Sequence, residues 1–113
     1  MIKIYHNNRC RKSREGLQLL SDSGKEFSII NYLDNPLSHE ELKNIIKMLD
    51  IKPIQLVRKN ESIWKENYKN KDLTDDDIIA AMVENPKLIE RPIVINNSKA
   101  VIGRPIENIK NII

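Results

Sequence analysis

The sequence predicts a small α/β fold: a mixed four-stranded sheet covered by helices, with a helical insertion between a βαβ part and a ββα part. The 113 residues suit one domain, which we take as residues 1–113. Near the start of the chain, two strand-like segments flank a helical pattern, so these two strands should be parallel. Near its end, two short apolar runs are separated by a tight turn, which is typical of an antiparallel hairpin.

The βαβ part begins with Ile2–Tyr5, where apolar and polar residues alternate as in a half-buried strand. A polar loop follows, and after Cys10 leucines recur at helical spacing. We expect this helix to end at Gly24, because glycine adopts the left-handed conformation that closes many helices. Phe27–Leu33 is rich in β-branched and aromatic residues, and this indicates the second strand.

The middle of the chain predicts the helical insertion, at about residues 38–86. Ser38 is a good N-cap, and Glu41 occupies the capping-box position three residues later. Pro53–Lys59 should form a short helix, since proline is favoured at the first helical position. Thr74 is a second N-cap, followed by three aspartates that complement the helix dipole.

The ββα part closes the domain. Ile93–Ile95 and Ala100–Ile102 should pair as antiparallel strands around a turn at Asn96–Asn97. The isoleucines of Ile106–Ile113 then recur at the spacing of an amphipathic helix. That helix is most simply explained as part of the core, so we expect a monomer.

The amino-acid composition argues against several classes of function. Lys and Arg exceed Asp and Glu by a formal charge of only +3, scattered along the chain, so we expect no nucleic-acid partner. No apolar run approaches the roughly 18 residues of a membrane span, so we expect no membrane association. The N-terminus lacks a signal-peptide pattern, which favours a cytoplasmic location. The single cysteine excludes an internal disulfide, and the two histidines are far apart, so we expect no metal site.

Cys10 is the candidate nucleophile, because it lies where the first loop becomes the first helix. Unpaired backbone N–H groups at a helix start stabilise a thiolate and bind anions. Ser13 is one turn away and His6 ends the strand, so both side chains should reach the sulfur. The alternative is an inert, packed cysteine beside a solvated basic face; position and charge together favour the thiolate. The basic residues around it are Arg9, Arg11, Lys12 and Arg14.

Five segments together resemble the glutaredoxin-coupled arsenate reductases. They are Tyr5–Asn7, Cys10–Arg14, Arg58–Glu61, Glu90–Val94 and Gly103–Pro105, and they occur in order over nearly the whole chain. The resemblance implies a thioredoxin-like fold with a helical insertion, which agrees with the organisation deduced above. It also implies arsenate, or a similar oxyanion, as substrate.

The resemblance assigns roles to individual residues. Cys10 matches the nucleophile that forms a covalent arsenic–sulfur adduct. Arg58, Arg91 and Arg104 match the arginines that hold the oxyanion and the adduct, and guanidinium groups suit oxyanions because they donate paired hydrogen bonds. Each arginine alone is also compatible with a surface salt bridge. Arg91 and Arg104 both precede a proline at a strand boundary, and this shared placement favours the site.

The remaining implied features concern the thiolate and the reductant. His6 and Ser13 match residues that support the thiolate, and Pro92 matches a cis-proline that faces the active-site cysteine. The family binds no cofactor, uses glutathione as a co-substrate thiol and has glutaredoxin as its partner. Because this chain has one cysteine, the second thiol has to come from outside.

Two other functions stay open on the sequence. One is a Spx-like regulator that binds RNA polymerase, although Ser13 stands where such regulators have the second cysteine of a CxxC pair. The other is a thiol-dependent oxidoreductase with another substrate, since a fold and a thiol do not fix a reaction. Arg11 and Lys12 are also bulkier and more basic than the pair found in the best-known reductases, so we expect anion binding to be intact or stronger, and their effect on selectivity among oxyanions stays open on the sequence.

Overall fold

The computed structural model describes every residue from Met1 to Ile113. The strands are β1 (Ile2–His6), β2 (Phe27–Asn31), β3 (Ile93–Asn96) and β4 (Lys99–Ile102). The α-helices are α1 (Arg11–Asp22), α2 (His39–Leu49), α3 (Ser62–Asn67) and α4 (Asp75–Glu84), and 3₁₀ helices span Pro53–Leu56, Pro86–Leu88 and Ile106–Asn111. No helix combines the length and the apolar character that crossing a bilayer requires.

The four strands form one mixed sheet in the order β2-β1-β3-β4. Strand β1 pairs with β2 in parallel and with β3 antiparallel, and β3 pairs antiparallel with β4. The predicted α/β architecture is therefore confirmed. In the hairpin, Ile93 is opposite Ile102, so the residues just before β3 and just after β4 lie at the same end of the sheet.

The chain divides into two compact units. The sheet unit comprises residues 1–35 and 91–113, and the helical unit comprises residues 36–90. The insertion predicted at about residues 38–86 falls within the range of the helical unit and stays a prediction.

The sheet unit has a continuous apolar core under α1. Its buried members come from β1, α1, β3 and the C-terminal 3₁₀ helix: Ile2, Ile4, Leu20, Val94 and Ile109. Burying each of these side chains contributes roughly 1.5–3 kcal/mol. Because this core holds α1 against β1 and β3, it fixes the start of α1 next to the end of β1.

Local sequence signals determine the helix starts in the helical unit. Ser38 Oγ accepts the N–H of Glu41, and the Glu41 carboxylate accepts the N–H of Ser38, so the predicted capping box is confirmed. Thr74 and Asp77 form a second reciprocal box at the start of α4. Each cap contributes about 1 kcal/mol to its helix.

Two predicted elements are shorter than the sequence indicates. Strand β2 ends at Asn31 rather than Leu33, because the Asn31 carbonyl accepts the N–H groups of Asp34 and Asn35 and turns the chain. The helix predicted over Pro53–Lys59 is a 3₁₀ helix that ends at Leu56.

The last two elements also differ in detail. The hairpin turn is one residue later than expected, because Asn96 still pairs with Lys99 and Asn97 takes the left-handed conformation with φ 57°. The C-terminal helix is a 3₁₀ helix, in which Asn108 donates its N–H to Pro105 three residues back at 3.1 Å.

Candidate active site

The loop between β1 and α1 presents Cys10 at the start of a helix. Cys10 is the N-cap residue of α1, with extended backbone angles (φ −96°, ψ 123°). Its N–H donates to the carbonyl of Asn7 at 3.0 Å, and its own carbonyl accepts the N–H of Arg14 at 3.0 Å. These two bonds fix the cysteine backbone on both sides, and the side chain is partly exposed.

Several donors around the sulfur lower the pKa of Cys10. Burial alone raises this pKa, but the backbone N–H groups of Ser13 and Lys12 donate to the sulfur, and the Arg91 guanidinium adds a hydrogen bond and a positive charge. The balance is a pKa below the ordinary thiol value. Arg104 Nη2 donates to the same sulfur at 3.3 Å. The thiolate therefore has two guanidinium groups as neighbours.

The β3–β4 hairpin brings Arg91 and Arg104 together. Arg91 lies just before β3 and Arg104 just after β4. Their neighbours are joined by a hydrogen bond, which the Gly103 N–H donates to the Pro92 carbonyl at 2.8 Å. Arg104 Nε donates to the Arg91 carbonyl at 2.8 Å, and this bond holds the guanidinium whose Nη2 donates to Cys10. The Arg91 residue is only 8% exposed, which is incompatible with an exposed surface salt bridge.

Pro92 fills the space between α1 and the hairpin. The Arg91–Pro92 and Arg104–Pro105 peptide bonds are both cis, and Pro92 is fully buried. A Cβ atom at Gly16 would lie 2.9 Å from Pro92 Cγ, and one at Gly103 would lie 2.8 Å from the same atom. Both glycines are thus needed for the helix and the hairpin to approach this closely.

His6 and Ser13 form a buried pair next to the cysteine loop. Their Nδ1 and Oγ atoms are 2.7 Å apart, and Ser13 Oγ also accepts the N–H of Asn7 at 3.0 Å. His6 is 3% exposed and Ser13 is fully buried. The hydroxyl of Ser13 therefore bonds to His6 and to the loop backbone, whereas its backbone N–H is the group that donates to the Cys10 sulfur.

Asn7 is a site residue that the sequence reasoning did not select. Its side-chain oxygen accepts the N–H of Arg9, its carbonyl accepts the N–H of Cys10, and its own N–H donates to Ser13, each at 3.0 Å. Asn7 is 5% exposed. The preference of asparagine for turns in which its side chain bonds to a following N–H was the available signal.

Arg58 lies in the helical unit. Its Nε is 3.9 Å from Glu90 Oε1, and its N–H donates to the carbonyl of Leu88 at 2.7 Å. Its role at Cys10 stays a prediction of the resemblance.

The basic residues of the loop and helix start are exposed. Arg11 Nε is 3.8 Å and Lys12 Nζ is 3.6 Å from the carboxylate of Glu15, and Arg14 donates to the carbonyl of Asn8 at 3.0 Å. No three His, Cys, Asp or Glu side chains are close enough together to hold a metal ion. The site therefore combines a stabilised thiolate with fixed N–H and guanidinium donors that can bind an anion.

Comparisons with known proteins point to one family. A sequence model of the ArsC family matches residues 5–112. An Escherichia coli (strain K12) relative named Uncharacterized protein YfgD is 45% identical, over 99% of this chain and 96% of the relative. An arsenate reductase of Haemophilus influenzae is 44% identical, over 99% of this chain and 98% of the relative. The solved structure of an arsenate reductase from Vibrio cholerae has a TM-score of 0.94 and 44% identity, covering 99% of this chain and 97% of that chain.

Proposed function

The chain belongs to the ArsC family, and on that basis we propose that it is an arsenate reductase that uses Cys10 as nucleophile and glutathione with glutaredoxin as reductants. The observation that carries this proposal is the pair of arginines at the Cys10 sulfur, with Arg104 Nη2 at 3.3 Å and Arg91 lowering the thiol pKa. A stabilised thiolate beside fixed guanidinium groups suits nucleophilic attack on an oxyanion.

The donors at the sulfur also suit the substrate. Arsenate carries negative charge on several oxygens, and the planar guanidinium of Arg91 suits paired hydrogen bonds to two of them. Arg104, whose Nε is bonded to the Arg91 carbonyl, adds the Nη2 donor that lies at the sulfur. The Ser13 and Lys12 N–H groups, at the positive end of α1, add donors that need no reorganisation during the reaction. As the thiolate charge is consumed in the new sulfur–arsenic bond, these donors shift to the oxygens of the adduct.

The reaction requires two electrons, since arsenic passes from the +5 to the +3 state. In the first step the Cys10 thiolate attacks arsenic and an oxygen leaves as water, which gives a covalent adduct still at +5. In the second step a glutathione thiolate attacks the Cys10 sulfur, the sulfur–arsenic bond breaks with its electron pair on arsenic, and arsenite leaves. The products are arsenite and a Cys10–glutathione disulfide, which glutaredoxin reduces.

The remaining assigned residues act on the nucleophile or the oxyanion. The His6–Ser13 pair fixes the turn that aims the Ser13 N–H at the sulfur, so both residues support the thiolate through geometry. Arg58 is proposed as a third oxyanion ligand, and this rests on its match to the family motif.

The test is arsenite formation by the purified protein supplied with arsenate, glutathione and glutaredoxin. We expect arsenite to accumulate with all three present, and to fall to background in Cys10→Ser or when glutathione is omitted. A wild-type rate equal to that of Cys10→Ser would exclude the proposed activity. If the wild-type rate does not respond to glutaredoxin, the reductase activity stands but glutaredoxin is not the partner.

A further inference from the structure

The cysteine loop and the first turn of α1 carry an exposed basic cluster, which we define as Arg9, Arg11, Lys12 and Arg14. All four residues lie within four positions of Cys10. The side chain of Arg11 is 85% exposed and that of Lys12 is 50% exposed. Glu15 is the acidic side chain that contacts the cluster, at 3.6–3.8 Å from Lys12 and Arg11, so most of the positive charge is uncompensated.

Charge in the chain is distributed unevenly, and the cluster is its densest basic part. Residues 1–35 and 91–113 contain ten Lys and Arg against five Asp and Glu, whereas residues 36–90 contain nine against eleven. The cluster is not required to stabilise the thiolate, because the groups that lower the Cys10 pKa are the Ser13 and Lys12 N–H groups and Arg91. Four exposed cations around a reactive sulfur therefore need another explanation.

We propose that the basic cluster is the docking surface for a small thiol or disulfide that bears carboxylates, and that it selects such partners over neutral ones. Glutathione has this chemistry, since it carries two carboxylates and one ammonium group. Exposed charges act mainly by raising the encounter rate of an oppositely charged reactant, and they do so strongly at low salt. The inference rests on the proposed function, and it identifies the basic cluster as the surface that recognises the thiol partner.

The experiment measures thiol–disulfide exchange without arsenate. Reduced protein is mixed either with glutathione disulfide, which is anionic, or with hydroxyethyl disulfide, which is neutral. In both reactions the Cys10 thiolate attacks one sulfur of the disulfide, the sulfur–sulfur bond breaks, and one thiolate leaves while a mixed disulfide forms. Mass spectrometry gives the two rates, and their ratio cancels any change in the reactivity of Cys10 itself.

The key variant is the double substitution Arg11→Gln with Lys12→Gln, which retains the Lys12 backbone N–H at the sulfur. The control is Lys43→Gln with Lys47→Gln, which removes the same charge from exposed positions on α2. At low salt we expect the anionic-to-neutral rate ratio to fall about five- to tenfold in the key variant and to stay near the wild-type value in the control. At about 0.5 M salt the fall should shrink to less than twofold.

Two results would overturn the inference. An unchanged ratio in the key variant means that the cluster does not recognise the partner's charge, and an equal fall in the control means that only net charge matters. The outcome is separable from the proposed function, because no arsenate is present. If the protein prefers the anionic disulfide but forms no arsenite, the docking surface is supported and the proposed substrate is wrong. If it forms arsenite without that preference, only the docking surface is wrong.

Discussion

At the scale of single residues, the reactivity of Cys10 depends on a balance of opposing effects on its pKa. Burial raises the pKa, and the Ser13 N–H, the Arg91 guanidinium and the Lys12 N–H lower it. Thiolate absorbance in a pH titration should therefore give a midpoint below the ~8.5 of a free thiol. Because the thiolate is the reactive form, alkylation of Cys10 should also rise with pH through this lowered midpoint and level off above it.

Arg91 provides the matched variant for that titration. Arg91→Gln removes the hydrogen bond and the positive charge at the sulfur, so the midpoint should move upward. Arg11→Gln removes the same charge from a side chain that is 85% exposed, and we expect a much smaller upward shift. Equal shifts in the two variants would mean that distant charge, rather than contact with Arg91, stabilises the thiolate.

Asn7 gives a second prediction at this scale. Asn7→Ala removes the buried asparagine side chain whose oxygen accepts the Arg9 N–H, which should cost about 1 kcal/mol of stability. The loosened turn should also raise the pKa of Cys10. Asn44→Ala is the control, because Asn44 is an exposed asparagine on α2, outside the cysteine loop. A wild-type Cys10 titration in Asn7→Ala would restrict Asn7 to a purely structural role.

The role of Arg91 in oxyanion binding is tested by Arg91→Lys, which keeps the charge but loses the planar fork. If Arg91 holds two oxygens of the adduct, the loss of roughly 2–3 kcal/mol of transition-state stabilisation should lower kcat/KM by about 30- to 150-fold. The free energy of unfolding, measured on the same preparation, should change by less than about 1.5 kcal/mol. Arg11→Lys should leave both quantities near wild type, and near-normal turnover in Arg91→Lys would exclude the bidentate role.

At the scale of helices and strands, sequence patterns predict the features that depend on neighbouring residues. They do not predict the element ends that long-range tertiary contacts change. The capping boxes of α2 and α4 were predictable, because each needs only residues three apart. The helix after Pro53 ends early because Val57 forms a bridge with Ile89, 32 positions later, and the Arg58 N–H donates to Leu88. Long-range pairings of this kind leave no signal within a short window of sequence.

The contact between α1 and the hairpin predicts the effect of two glycine substitutions. A Cβ atom at Gly16 or Gly103 would be within 2.9 Å of the buried Pro92 ring, so either change to alanine has to shift Pro92 or the backbone packed against it, next to Arg91. We expect a loss of about 1–3 kcal/mol in stability for each, although alanine is otherwise favoured within a helix. Both variants should also raise the Cys10 pKa.

Gly24→Ala is the control for those substitutions. Gly24 has a positive φ of 74° and no neighbouring atom within 4 Å of an added Cβ. Its replacement should cost about 1 kcal/mol through backbone strain alone, with an unchanged Cys10 titration. If Gly16→Ala is as stable as wild type and titrates normally, the close packing around Pro92 is not what positions Arg91.

At the scale of the whole molecule, the candidate site combines residues that are distant in sequence. Cys10 could be singled out because a cysteine at a helix start beside cations has a direct chemical meaning. The convergence of Arg91 and Arg104 on its sulfur depends on the β3–β4 register and on the packing of α1, which composition and spacing do not specify. The family resemblance identified the two arginines as candidates, and the structure shows the hydrogen bond by which the Arg104 side chain is held to the Arg91 carbonyl.

The last prediction follows from the single cysteine in 113 residues. Reduction of arsenate needs two electrons, which a pair of thiols supplies as it becomes a disulfide, and a chain with one thiol cannot form such a disulfide internally. With arsenate and no added thiol, the protein should therefore release no arsenite. With glutathione present and glutaredoxin absent, mass spectrometry of the quenched reaction should show a glutathione disulfide on the peptide that contains Cys10. Added glutaredoxin should remove that species and restore turnover. Sustained arsenite release without any thiol, or a Cys10–Cys10 dimer as the main product, would contradict the scheme, because either would mean that the second thiol does not come from glutathione.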